Sequence, residues 1–331
     1  MNYSESTAVL DEIKKANKIL LNCHRGPDPD GIGSALSMKI ILESMGKKAE
    51  IICPSKVISK QTDFLKGYDQ IKLGVDFDKF DFSAYDLFIS VDTPNLPLMT
   101  GNNDSKIPNI KTIVIDHHHV SPLTGFLMIK DEKATSVGEM LYSIFADWGV
   151  PLSEDLAGCI LTSIIGDTGA FSYPNTTART MRIVAELMDM GVDKDMIVNR
   201  IYRDENFDML KFWYEVLGRM QIDKDNHFVY AMIPYSVYKK YSKLDDAKAK
   251  AASLFAPIVA GTDFGFIGVE ESPEFVTISF RGRTDFDTSI IAKELGGGGH
   301  KVASAVKIEK VPFAEVEKQV LEVARKYARK D

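Results

Sequence analysis

Residues 18–34, KILLNCHRGPDPDGIGS, decide the fold. An apolar run ends at Cys23, a turn rich in Pro, Asp and Gly follows, and ALSMKIILESM then has the composition of a helix. That order predicts strand, sharp loop and helix, with the strand delivering His24 to the carboxyl edge of a sheet. Pro27 and Pro29 stiffen the loop, and Gly31 and Gly33 are expected to let it turn into the helix. Asp28 and Asp30 have one residue between them, so an irregular loop can aim both at a shared point, whereas a helix would splay them. Imidazole plus carboxylate is a ligand set for divalent transition ions. The plainer alternative for this stretch alone is that its Asp, Pro and Gly form turns.

Further along the chain the same order recurs. AEIICP reads as a strand ending at Pro54, DLFISVD as one ending in Asp92, and KTIVIDHHHV as one delivering Asp116, His117, His118 and His119. Three separate strands thus end in metal-type ligands, at the edge where active sites gather in open parallel α/β sheets. Helices are predicted over 5–17, after Thr135 or Ser136 as N-cap with Glu139 at capping-box distance, and after Glu154. The last of these stops at Gly166, leaving Asp167 in the loop beyond; Thr176 or Thr177 caps another helix running to Gly191. Residues 1–190 therefore predict an α/β, doubly wound, mainly parallel sheet domain. Residues 191–218 read as a helical linker, and 219–331 as a second, smaller α+β domain.

At 331 residues the chain exceeds the usual size of one core, which also predicts two domains. Hydrophobic content of 45% and charged content of 26% are those of a water-soluble globular protein. No apolar run is long enough to span a bilayer and no signal peptide is visible, so the expected location is the cytoplasm, away from membranes. Cys23, Cys53 and Cys159 are scattered in apolar runs and read as reduced, buried thiols. The formal net charge of −7 argues against a long footprint on duplex nucleic acid. It leaves room for a short phosphorylated ligand, because acidic side chains holding divalent ions become locally attractive to anions.

The candidate ligands are His24, Asp28, Asp30, Asp92, His117 and Asp167, with His118 beside them. Only His227 of the six histidines falls outside the three segments singled out, HRGPDPDGIGS, IDHHHV and GGGGH. Four converging carboxylates would repel one another without cations; a pair of divalent ions offsets that charge and can share a bridging carboxylate, for which Asp92 is the candidate. Water between two such ions becomes a nucleophile near neutral pH, and phosphorus is the electrophile that suits it, so phosphate ester or anhydride hydrolysis is expected. His118, if it is not itself a ligand, is expected to contact the phosphate and protonate the leaving oxygen, with Asp116 orienting a neighbouring imidazole. His119 receives no role. In the second domain GGGGHKVASA, from Gly296, should serve close approach of a ligand or another backbone, with a hairpin loop as the plainer alternative. His300, Arg281 and Arg283 offer cations for phosphate.

HRGPDPDGIGS, the VDT around Asp92, IDHHHV and GDTGAF, in this order, resemble the four motifs of the DHH phosphoesterase superfamily, and GGGGHKVASA resembles the hallmark of its DHHA1 C-terminal domain. Length and linker look most like the bacterial oligoribonuclease and 3′-phosphoadenosine 5′-phosphate phosphatase group, with linear di-adenylate phosphodiesterases close by. The resemblance implies two divalent ions, Mn²⁺ being the expected metal, one on His24, Asp28 and Asp92 and the other on Asp30, Asp92, His117 and Asp167. It implies His118 near the scissile phosphate, and Arg281, Gly298, Gly299 and His300, with Arg283 as helper, gripping the far phosphate or base. Ser136 and Asn175 lie in family-like stretches without an assigned role. One departure is visible: His119 and Val120 replace the Pro-rich or Asn-containing turn that relatives often carry.

The resemblance thus predicts hydrolysis of short oligonucleotides or a nucleotide bisphosphate, with lobes that close over the substrate and a homodimer as a compatible state. Two other readings are a manganese pyrophosphatase or exopolyphosphatase and a catalytically silent nucleotide-binding regulator. The first would carry more Lys and Arg in the second domain; the second would have lost a ligand, and none is missing.

Overall fold

The structure, a computed structural model, describes residues 2–244, 247–299 and 301–328. It divides into two compact units, Met1–Asp204 and Glu205–Asp331. In the first, the described strands are β1 (Lys18–Asn22), β2 (Lys48–Ile52), β3 (Leu87–Val91), β4 (Thr112–Asp116) and β5 (Leu127–Lys130). They form one sheet in the order β2-β1-β3-β4-β5, every neighbouring pair parallel. The direction of winding reverses between β1 and β3, and at such a switch point the loops leaving the two strands part and open a crevice. Strand β5 has no counterpart in the sequence reading: only Ile129 of its four residues is buried, so its edge position leaves no apolar run to detect.

The helices of this unit are α1 (Ser6–Lys15), α2 (Pro29–Ser44), α3 (Leu96–Thr100), α4 (Val137–Asp147), α5 (Glu154–Asp167), α6 (Ala178–Asp189) and α7 (Lys194–Tyr202). One face of the sheet, with Ile19, Leu21, Ile89 and Ile113, packs in a single core with residues of α1, α2, α4, α5, α6 and α7. The opposite face is covered differently. Leu20, Phe88 and Val114 meet Phe77, Met99 and Leu123, so α3 and irregular chain do the work of long helices there. Phe80, Phe82 and Tyr85 complete a ring cluster in that segment, where Asp and Phe without helical spacing pack as a loop.

Helix α2 is the central helix and is buried for most of its length. Gly31 and Gly33, expected as turn residues, lie inside it, and their use is close approach. A Cβ on Gly33 would lie 2.6 Å from the Cys159 carbonyl oxygen of α5. The turn itself is made by Gly26, at φ +62°, and by Asp28, the N-cap, whose side chain accepts from Gly31 N at 2.9 Å. Ser136 caps α4, accepting from Glu139 N, but the Glu139 carboxylate does not close the box. It is buried and accepts from Thr135 Oγ1 at 2.6 Å and Thr180 Oγ1 at 2.9 Å. Thr177 caps α6 in a true capping box with Thr180. The three cysteines are free and buried.

The segment 191–218 holds two helices: α7 belongs to the first unit, and α8 (Phe207–Leu217) to the second. The second unit continues with α9 (Tyr235–Tyr238), α10 (Ala247–Phe255), α11 (Ser289–Glu294) and α12 (Phe313–Tyr327). Its strands are β6 (Gln221–Asp223), β7 (Phe228–Ile233), β8 (Phe264–Ser272), β9 (Phe275–Gly282), β10 (Gly298–Gly299) and β11 (Ala303–Glu309), in the order β10-β11-β9-β8-β7-β6. Among the described residues only β7 and β8 pair in parallel; the other neighbours are antiparallel. Phe228, Phe264, Phe266 and Phe280 are fully buried on the face toward α11 and α12, each worth about 1.5–3 kcal/mol of burial. The other face carries Ile267 and Val269 against α8 and α10. Among the described residues no helix is long and apolar enough to cross a membrane.

Candidate metal centre

His24 follows β1, Asp92 follows β3 and His117 follows β4, so the parallel sheet brings three distant segments to one edge. Asp28 caps α2 and Asp30 sits in its first turn. Asp167, expected just past a helix, is the last residue of α5. At a helix C-terminus a carboxylate faces the negative end of the dipole, a position that a bound cation would relieve.

These groups meet in two sets. His24 Nε2 lies 3.8 Å from Asp28 Oδ1 and 3.5 Å from Asp92 Oδ2. His117 Nε2 lies 3.6 Å from Asp30 Oδ2, 3.1 Å from Asp167 Oδ2 and 3.7 Å from Asp92 Oδ1. Asp28 and Asp30 therefore do not aim at one point. The helix start separates them, one to each set, and Asp92 alone faces both, with a different oxygen on each side. Asp92 stands at φ +49°, a left-handed conformation that Asp tolerates better than most residues. A Cβ on Gly31 would lie 2.7 Å from His24 Nε2 and 3.3 Å from Asp92 Oδ2, so only glycine leaves this side of the cluster clear.

Both imidazoles are held in the same way. His24 Nδ1 donates to the Arg25 carbonyl at 3.1 Å and His117 Nδ1 to the Ala134 carbonyl at 3.2 Å, which leaves each Nε2 lone pair facing the carboxylates. His118 differs. Its Nδ1 donates to Asp116 Oδ1 at 2.8 Å and is 3.7 Å from Asp92 Oδ1. Asp116 thus orients His118, and the imidazole is half-exposed. His119 lies at the surface, Nδ1 on Glu132 at 2.6 Å.

Asp30 is fully buried and accepts from Val137 N at 2.8 Å, Gly138 N at 3.3 Å, Ser34 Oγ at 2.8 Å and Ser163 Oγ. Its charge thus rests on the N-terminus of α4. Ser34 could have been read from its place four residues on from Asp30 in a helix; Ser163 carried no signal, because only the packing of α5 on α2 brings it there. Asn175 Nδ2 donates to the Asp167 carbonyl at 3.1 Å, which fixes the backbone that carries that carboxylate.

The electrostatics are those of a site short of positive charge. Burial, then repulsion from Asp167, raises the Asp30 carboxyl to about 6. Burial, then Asp30 and Asp28, pushes Asp92 well above the usual carboxylate range. Burial alone would lower both imidazoles, but Asp28 and Asp92 hold His24 well above its ordinary value, and Asp167, Asp30 and Asp92 lift His117 to about 10. Burial also opposes ionisation of Asp28 and Asp116, yet His24 lowers the first and His118 the second. Two N-and-O donor sets, each with a backbone-anchored imidazole and joined by one carboxylate, fit a pair of divalent ions.

In the second unit, Arg281 lies on β9 opposite Ala303, its Nε on Ser253 Oγ at 3.0 Å and one Nη on the Phe280 carbonyl at 2.9 Å. Arg283 places one Nη 3.2 Å from the Thr262 carbonyl. Gly298 and Gly299 form the exposed edge strand β10 against β11, and a Cβ on Gly299 would lie 2.5 Å from Ser304 Cα. The glycines of this stretch thus admit another backbone. His300 lies outside the described residues.

Residues 18–164 match the DHH family, N-terminal domain. The chain is 25% identical to the bifunctional oligoribonuclease and PAP phosphatase NrnA of Thermus thermophilus, over 98% of this chain and 94% of that protein. It is 26% identical to the protein of the same description from Bacillus subtilis, over 91% of this chain and 93% of that one. The crystal structure of an exopolyphosphatase-related protein from Bacteroides fragilis superposes with a TM-score of 0.87 at 24% identity, covering 98% of this chain and 96% of the other, and so shares the fold. The DHH family's N-terminal domain thus spans the strands and loops that carry His24, Asp92 and His117, and the protein is a phosphoesterase.

Proposed function

We propose that the protein hydrolyses short oligonucleotides to mononucleotides and also removes the 3′-phosphate of nucleoside 3′,5′-bisphosphates, at a centre of two Mn²⁺ ions. His24, Asp28 and Asp92 would hold one ion, and Asp30, Asp92, His117 and Asp167 the other. Bound there, the ions would supply Lewis-acid neutralisation of phosphoryl charge and acidify the attacking water. The observation that carries this is the division of Asp92, Oδ2 toward His24 and Oδ1 toward His117. The names of the Thermus and Bacillus relatives support both substrate classes.

The chain's own groups account for the rest. Water oxygen bonds to phosphorus as the bond to the leaving oxygen breaks in line. Asp116 keeps His118 Nδ1 protonated and the ring oriented, so that Nε2 is the atom that delivers a proton to the leaving oxygen. Arg281, with Arg283, Gly298, Gly299 and His300, is the proposed ligand strip of the second unit.

The test is turnover by the full chain with Mn²⁺ of pApA, of adenosine 3′,5′-bisphosphate and of pyrophosphate. Mononucleotide release from pApA and orthophosphate release from the bisphosphate, both abolished by EDTA, are expected. Hydrolysis of pyrophosphate alone would overturn the proposal.

A further inference from the structure

Beside the metal-type cluster the first unit has a cavity of about 550 Å³ that the chemistry above does not use. Its walls are the residue after His24, the turn after β2, and the segments around Val75 and Gly101, and Arg25, Lys56, Asp76, Asp78, Val57 and Asn102 give it its character. The volume suits a ligand of nucleotide size.

The side chains of Arg25 and Lys56 have no hydrogen bond or ion pair among the described residues, although acids stand in the same cavity. Those acids are already engaged: Asp76 pairs with Lys79 at 2.8 Å, and Asp78 accepts from Asn102 Nδ2 at 3.1 Å and Ser105 Oγ at 3.0 Å. The backbone of Arg25 is clamped from two sides. Its N–H donates to the Leu98 carbonyl at 2.7 Å, and Gly26 N donates to Ser55 Oγ at 2.7 Å. One guanidinium, on a backbone held in place, and one ammonium, both unpaired among the described residues, call for an anion, and a guanidinium suits phosphate oxygens. Across the cavity the spare lone pairs of Asp76 and Asp78 accept hydroxyl or amino hydrogens, and exposed Val57 offers an apolar surface.

We propose that this cavity holds the nucleotide next to the scissile phosphate, with the following phosphate of the strand on Arg25 and Lys56. The assignment rests on the phosphoesterase function proposed above and specifies its substrate: the strand is cut at its 5′ end with the nucleotide on the 3′ side of the scissile phosphate in the cavity, so chains of three nucleotides gain a contact that dinucleotides lack. A charge-assisted contact of this kind is worth about 10-fold or more in affinity.

The experiment compares kcat/KM for first cleavage of pApApA and for pApA in the wild type, Arg25→Gln and Lys56→Gln, and in parallel measures equilibrium binding of both nucleotides to the full chain in EDTA. In both variants the trinucleotide should lose about 10-fold or more beyond any loss on the dinucleotide, in turnover and in binding alike. Lys56→Gln lies on a different loop from His24 and guards against a disturbed cluster. Equal losses on the two substrates, or none, overturn the cavity assignment. If the wild type cleaves neither substrate, the proposed function fails while the binding titration still decides whether the cavity takes the extra phosphate.

Discussion

Asp92 meets His24 through one oxygen only: Oδ2 lies 3.5 Å from Nε2, and Oδ1 is turned to His117 on the other side of the cluster. One carboxylate serving two sets of donors makes the sets interdependent. Asp92→Asn keeps the size of the side chain but replaces one oxygen with an amide nitrogen that cannot coordinate a cation. Metal analysis after gel filtration should find fewer than two ions per chain, and turnover should drop by more than about 100-fold, beyond what loss of an outer contact costs. Two ions retained at full occupancy would remove Asp92 from the bridge.

Ser163 offers a milder test. Its hydroxyl donates to Asp30 without itself facing the donor cluster. Ser163→Ala should weaken metal binding by about 10–100-fold with a near-native thermal midpoint. Metal titration by calorimetry reads the first quantity and thermal unfolding the second.

Gly31→Ala sets local propensity against the site. Alanine in a helix interior gains about 0.5–1 kcal/mol over glycine, but the new Cβ would come within 2.7 Å of His24 Nε2. The imidazole must move, so metal affinity and activity should fall together while the far-ultraviolet circular dichroism stays native. Unaltered metal affinity would show that His24 has slack the geometry denies.

The pH dependence of the metal-free protein has a definite sign. His117 rises from 6.5 unfolded to about 10 folded, and Asp30 from 3.8 to about 6. Stability from each is fully present below the unfolded value and is lost as pH climbs through the folded one. In EDTA the thermal midpoint should therefore decline from pH 4 to 6 for Asp30 and from 6.5 to 10 for His117, against the opposite acid-side effect of Asp28, whose lowered pKa costs stability only as pH falls. Saturating Mn²⁺ should flatten the alkaline decline, since ions take the place of the protons. A flat alkaline limb in EDTA would contradict the charge balance described.

His118 and Asp116 act on one proton. His118→Ala should cut kcat by about 10²–10⁴-fold without changing metal content. Asp116→Asn should cut it less and shift the pH–rate profile, because the amide accepts a weaker hydrogen bond from Nδ1.

Much of this was legible along the chain. The apolar runs ending at Cys23, Val91 and Ile115 announced buried parallel strands, because a strand covered on both faces must be apolar throughout. Ligand types also follow from the chain, since imidazole and carboxylate chemistry belongs to the residue and not to its neighbours. Other features had no linear signal. Edge strand β5 buries too little to show a pattern, and along the chain Gly166 reads as a helix stop that leaves Asp167 in a loop, whereas in the fold α5, with Gly166 against Pro29 of α2, includes Asp167.

What the amino-acid order determined by itself was the set of elements and the chemistry at their ends. The tertiary structure decided which oxygen of Asp92 faces which histidine, that Asp28 and Asp30 part company at a helix start, and that Ser163 reaches Asp30 from 133 residues away. The physical reason is range. Propensity and hydrophobic period act over a few neighbouring residues, while the direction of a lone pair is set only when strands, helices and backbone carbonyls from remote segments have closed around it.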